Sequence, residues 1–237
     1  MKFLENVHFD WMDMFNFYER PFRAKIVPAK IWIDLDKYIN DPIGLGNYAK
    51  KWRTKVEWFE QKSTASIYQT HIAVGGEYNA TKRQCVIIIH TSDFDKFKFS
   101  QDAWDRFKFK FIQTLLHEMI HFMQYDRRAD EWSNYVVPYK RVGVAKKDAE
   151  RRYLSEFDEI QAYAHCVLLD YKFYKSSIPV ETLLARCKTI RDSNTLHYFL
   201  RTFDYDYRNN AAIPKIMQQI IKWERKYQKV NRTSNKS

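Results

Sequence analysis

His117-Glu118-Met119-Ile120-His121 sets two histidines four residues apart, with a glutamate directly after the first. On a helix, residues i and i+4 share one face a single turn apart. Both imidazoles can then grip one Zn²⁺ while the glutamate reaches a water on the metal. Zinc lowers the pKa of such a water to about 7. Glu118 is then placed as a general base, taking a proton as the water attacks a carbonyl and passing it to a leaving amine. The chemistry predicted is hydrolysis of peptide bonds. The plain alternative is two surface histidines on a helix. Their neighbours argue against it, because Leu115-Leu116 precede the pattern and Phe122-Met123 follow it. Burying two histidines and a glutamate together without a purpose would be costly.

A catalytic zinc needs a third protein ligand and one open position. The downstream segment Glu156-Phe157-Asp158-Glu159-Ile160-Gln161-Ala162-Tyr163-Ala164-His165 offers acidic groups on a second helical stretch. Within it, Glu159-Ile160-Gln161-Ala162 resembles the E-x-x-A element of gluzincin metallopeptidases. That resemblance implies Glu159 as third ligand beside His117 and His121, with one catalytic zinc ion. It also implies that the small alanine lets the two helices approach closely. Glu156, a turn earlier on nearly the same face, is the alternative ligand, or a hydrogen-bond partner of a ligand histidine. Asp158 points elsewhere on a helix and reads as solvated or as a further hydrogen-bonding group. Taken alone, the acidic cluster reads as a charged helix face paired with Arg151 and Arg152. Tyr163, His165, His197 and Tyr198 are candidates for a second donor to a developing oxyanion, and each serves equally well as a core or surface residue. In the gluzincin pattern, substrate lies extended along an edge strand, here expected within residues 66–90.

The stretch Thr114 to Phe122 is also similar to SprT-like metallopeptidases, which often carry two leucines before the motif and act on DNA-bound proteins. The chain departs from that pattern. Their third ligand is a histidine soon after the helix, whereas the next histidine here is His165, and their cysteine ribbon is missing. Either resemblance covers about residues 84–170. The aromatic-rich chain with its helical additions is similar in character to phage-encoded metallopeptidases, for which host cytoplasm or virion is the expected location.

The elements that must position these groups follow from periodicity and turn chemistry. Lys30 to Leu35 alternates and predicts a strand. Tyr48, Trp52, Val56 and Phe59 suit an amphipathic helix over 47–61. Ser66 to Val74 predicts a strand, Gly75-Gly76 a turn opening a loop over 75–83, and Gln84 to His90 a buried strand. A long helix is expected over 102–125, a loop-like stretch over 126–146 and a second long helix over 148–175. Shorter helices are expected over 180–191, 194–203 and 213–229, the last opened by Pro214. The fold class expected is α+β and zincin-like: a small, mostly antiparallel sheet packed on the active-site helix and on a second ligand helix, with additional C-terminal helices. We read a single domain over 1–229, with its core at about 84–170, a helical extension over 176–229 and a disordered tail over 230–237.

Composition is consistent with this picture. With 45% hydrophobic residues, the 237-residue chain can bury a sizeable core, and five glycines with six prolines argue against a sandwich or propeller. Three well-separated cysteines form no C-x-x-C pair and read as free thiols in a reducing compartment. No signal peptide and no apolar run of membrane-spanning length are evident, so a cytoplasmic protein is expected. The net charge of +11 favours an acidic or nucleic-acid-associated partner besides a protein or peptide substrate. Arg127, Arg128, Lys140, Arg141, Lys146, Lys147, Arg151 and Arg152 concentrate it between the two candidate ligand helices, where a solvated face is an equal explanation. A third possibility keeps the peptidase fold and its metal only for binding or stability. The glutamate of the motif argues against that, since a structural metal needs no base.

Overall fold

The computed structural model describes residues 29–34, 54–58, 72–79, 82, 84–91, 101–126, 128, 146–173, 178–187 and 193–234. Four strands, β1 (Ala29–Asp34), β2 (Thr54–Trp58), β3 (Ile72–Asn79) and β4 (Gln84–Thr91), form an antiparallel sheet in the order β2-β1-β4-β3. Among the described residues, six helices follow: α1 (Gln101–Asp126), α2 (Lys146–Ser155), α3 (Phe157–Phe173), α4 (Val180–Ala185), α5 (Asn194–Thr202) and α6 (Ala212–Ser234). The class is α+β. Among the described residues, no helix is long and apolar enough to cross a membrane. The chain forms two compact units, residues 1–122 and 123–237, and the boundary falls inside α1, which runs through it without a break.

In the first unit, β4 is the buried strand that its Val86-Ile87-Ile88-Ile89 run predicts, with Val86, Ile87 and Ile89 all buried. The turn expected at Gly75-Gly76 is not there. Both glycines lie inside β3, opposite Ile88 and Ile87 of β4. The hairpin closes later, after Asn79, whose side-chain oxygen accepts from the Lys82 N–H at 3.0 Å. A polar side chain that holds a backbone N–H three residues on supports a reversal without glycine. Residues 66–71 of the expected strand lie outside the described residues. The helix expected over 47–61 is also corrected, because its centre, Thr54–Trp58, is a strand paired with β1 in the register Ile31↔Val56. Thr54, Val56 and Trp58 alternate while Tyr48, Trp52, Val56 and Phe59 fit a helical period, and a neighbouring ladder decides between the two. The α1 helix buries Phe107, Phe111, Ile112, Leu115, Leu116, Met119, Ile120 and Phe122. Tyr78 of β3 meets Phe122 edge-on, with ring centroids 5.8 Å apart.

In the second unit α3 is central, packed along α6 and also against α5 and α2. Its Ile160, Ala162, Ala164, Val167 and Leu168 are buried, as are Ile213, Ile216, Ile220 and Trp223 at helical spacing on α6. The single helix expected over 148–175 is instead two, broken at Glu156. The Ser155 hydroxyl turns back to the Arg151 carbonyl at 2.7 Å, and the Glu156 N–H bonds the Tyr153 carbonyl at 3.1 Å. Such side-chain competition for backbone groups favours a helix end. The α6 helix passes its expected end near 229 and reaches Ser234, and residues 235–237 lie outside the described set. A buried carboxylate joins α3 to α5. Asp170 accepts from the Ser193 hydroxyl at 2.6 Å and from the Thr195 N–H at 3.1 Å, while Ser193 caps α5 by accepting from the Leu196 N–H at 3.0 Å.

Candidate metal centre

The α1 helix brings the two histidines together as their spacing requires. Their Nε2 atoms lie 3.1 Å apart and their rings meet edge-on, with centroids at 4.7 Å. Two nitrogens bound tetrahedrally to one zinc at ~2.05 Å are about 3.3 Å apart, so the pair is already close to the spacing a shared ion needs. His117, His121 and Glu159 form one group whose ligand atoms all lie within 4.8 Å of one another, a set that can hold a metal ion. Two imidazoles and a carboxylate suit a borderline cation that takes nitrogen and oxygen ligands.

The break at Glu156 places Glu159 in the first turn of α3, where the positive end of the helix dipole favours a carboxylate. Glu159 is buried. Glu156 is exposed in the bend, and its carbonyl accepts the Ile160 N–H at 2.9 Å to start α3. It is not a member of the metal-capable group. Asp158, which reads from sequence as solvated or as a further hydrogen-bonding group, is held in a two-pronged pair by Arg128.

Glu118 is buried on the neighbouring face of α1, against β3. A Cβ placed on Gly76 would stand 2.5 Å from Glu118 Oε1, 2.7 Å from its Cγ and 2.7 Å from Thr114 Cγ2. Only a residue with no side chain lets the strand backbone come this near the carboxylate. Behind it, burial first and then the negative charge of Glu118 push the Cys85 thiol well above its usual range. That thiol stays protonated and adds no competing charge to the site.

Two residues of this neighbourhood are missing from the sequence reading. Gly76 is one, and the signal that finds it is a glycine pair inside a strand-like run, which can mark close backbone approach as well as a turn. Gln124 is the other. It is buried, and its amide donates to the Asp158 carbonyl at 3.1 Å and to Gln161 Oε1 at 2.8 Å. Its signal is position: His117, His121 and Gln124 follow at i, i+4 and i+7 on one stripe of α1.

The four oxyanion candidates lie on α3 (Tyr163 and His165) and α5 (His197 and Tyr198). Tyr163 stacks on Tyr198 at 6.2 Å and leans on Phe199. The Tyr198 hydroxyl donates to Glu150, and His197 Nδ1 meets the Tyr205 hydroxyl at 3.1 Å. His165 is buried with its ring edge-on to Trp223 at 4.8 Å. The basic run is partly neutralised. Besides the Arg128–Asp158 pair, Lys147 and Arg151 both bind Asp204, Lys147 at 2.6 Å. These bonds, that from Lys147 first, hold the exposed Asp204 carboxyl below its usual range. Arg151 is thereby paired with Asp204 and not with the acidic cluster at 156–159. Arg127, Lys140 and Arg141 lie outside the described residues.

Comparison with protein-family models, with curated proteins and with solved structures found no match.

Proposed function

We propose that this protein is a zinc-dependent metallopeptidase of gluzincin type with a zincin-like fold, in which His117, His121 and Glu159 hold the metal and Glu118 is the general base. The observation that carries this reading is the convergence of both imidazole Nε2 atoms at 3.1 Å in a group that also includes Glu159, with Glu118 buried on the adjoining face. A bound zinc ion would supply Lewis acidity, activating a water and polarising the scissile carbonyl.

The chain's own groups account for the rest. Glu118 takes the proton of the attacking water and returns it to the leaving amine. Gly76 keeps the strand beside that carboxylate free of side-chain bulk. Among the described residues β3 is an edge strand, and an edge strand presents backbone donors and acceptors to an extended peptide. This supports a protein or peptide substrate lying along β3, with its scissile bond near Glu118.

The test joins metal analysis to hydrolysis of a quenched-fluorescent peptide library. Purified wild type is expected to carry one zinc per chain and to cleave members of the library. Glu118→Gln should keep the zinc and lose about 10²- to 10⁴-fold in rate. Glu159→Ala should lose zinc where Glu156→Ala keeps it. Native protein devoid of zinc, or a Glu118→Gln protein as active as wild type, rules the reading out.

A further inference from the structure

Gln124 has no chemical part in the hydrolysis, yet it is a buried polar side chain and gives both amide protons to α3. Its two acceptors, the Asp158 carbonyl and the Gln161 side chain, lie on either side of Glu159 in sequence. Its own position continues the stripe of α1 that carries His117 and His121. A helix fixes the rise and rotation between His121 and Gln124, and the first turn of α3 fixes those between Asp158, Glu159 and Gln161. Two hydrogen bonds from one planar amide therefore tie the ligand stripe of α1 to the turn that presents Glu159. Arg128, a turn further on, adds its two-pronged grip on Asp158.

We propose that Gln124 is a positioning residue for the metal centre: by holding α3 on both sides of Glu159, it sets how that carboxylate meets the imidazole pair, and hence the affinity for zinc. This rests on the reading of His117, His121 and Glu159 as zinc ligands. Residues that orient metal ligands without touching the ion typically govern affinity by about 10- to 100-fold.

The experiment is a zinc titration against a competing fluorescent chelator, run beside thermal unfolding of the metal-free proteins. Gln124→Met keeps the side-chain volume and removes both hydrogen bonds. It is expected to weaken zinc binding about 10- to 100-fold while the metal-free melting temperature stays close to wild type. Gln161→Met removes one acceptor and should weaken binding less. Because Gln124→Met already breaks the bond to Gln161, the double variant should bind zinc no more weakly than Gln124→Met alone. If Gln124→Met does not fold, Gln161→Met decides the matter on the same readout. A zinc-binding wild type with unchanged affinity in both variants overturns this proposal alone. So does a loss of affinity matched by an equal loss of metal-free stability, the mark of a merely structural residue. A wild type that binds no zinc overturns the metal reading and this proposal with it.

Discussion

Gly76 shows how much a single absent side chain can decide. A methyl group there meets the Glu118 side chain and the Thr114 methyl at 2.5–2.7 Å, and Thr114, being β-branched, yields little. Gly76→Ala is expected to destabilise the fold by about 1–3 kcal/mol through overpacking and to turn the Glu118 carboxylate away. Hydrolysis should then fall at least ~10-fold with zinc content unchanged. The neighbouring Gly75 is the control, since its added Cβ would meet only the Ile88 carbonyl oxygen at 4.0 Å. Gly75→Ala should melt at or slightly above the wild-type temperature, because alanine loses less conformational entropy in a strand. Equal melts and equal rates for the two variants would refute the argument. At this scale the sequence is most legible where function is local: two histidines at i and i+4 need nothing but a helix to meet. Gly76 and Gln124 are opaque because their roles are defined by partners tens of residues away, and their residue types are common in loops and on surfaces.

Among elements, α1 carries two stripes with different duties. Thr114, Glu118 and Phe122 face β3, while His117, His121 and Gln124 share the other stripe. One uninterrupted helix thus keeps the proposed base, Glu118, in fixed relation to the two histidines. The sequence revealed α1 because its apolar positions recur at helical spacing over many turns, and β4 because its central run is continuously apolar. It misled at β2, where two overlapping sets of positions that share Val56 satisfy two different periods, and at Glu156, where a serine's bond to its own helix accompanies a break in continuous helical propensity. The α3–α5 junction depends on Asp170, the acceptor for both a hydroxyl and a backbone N–H near the start of α5. Asp170→Ala leaves buried donors unsatisfied and should cost about 2–3 kcal/mol. That corresponds to roughly 4–12 °C in melting temperature for a chain of this size, measurable by calorimetry. An unchanged melting temperature would show that the junction does not depend on this carboxylate.

For the whole molecule, a metal that binds only the folded chain adds about 4 kcal/mol when free metal exceeds its Kd a thousandfold. Calorimetry with excess zinc and again with a chelator should therefore differ by on the order of 10 °C, and His117→Ala should show no such difference. A wild type that melts identically under both conditions would sink the metal reading. The partition into two compact units is not visible in composition, because the boundary lies inside a continuous helix with no glycine or proline to mark it. The three thiols have a practical consequence. None of Cys85, Cys166 and Cys187 forms a disulfide and all three are buried, and buried thiols react slowly with alkylating reagents. The folded protein is therefore nearly silent to maleimide chemistry. A single cysteine introduced at an exposed position such as Lys82 or Arg208 becomes its one labelling site, ready to carry a fluorophore or spin probe without any native cysteine being removed.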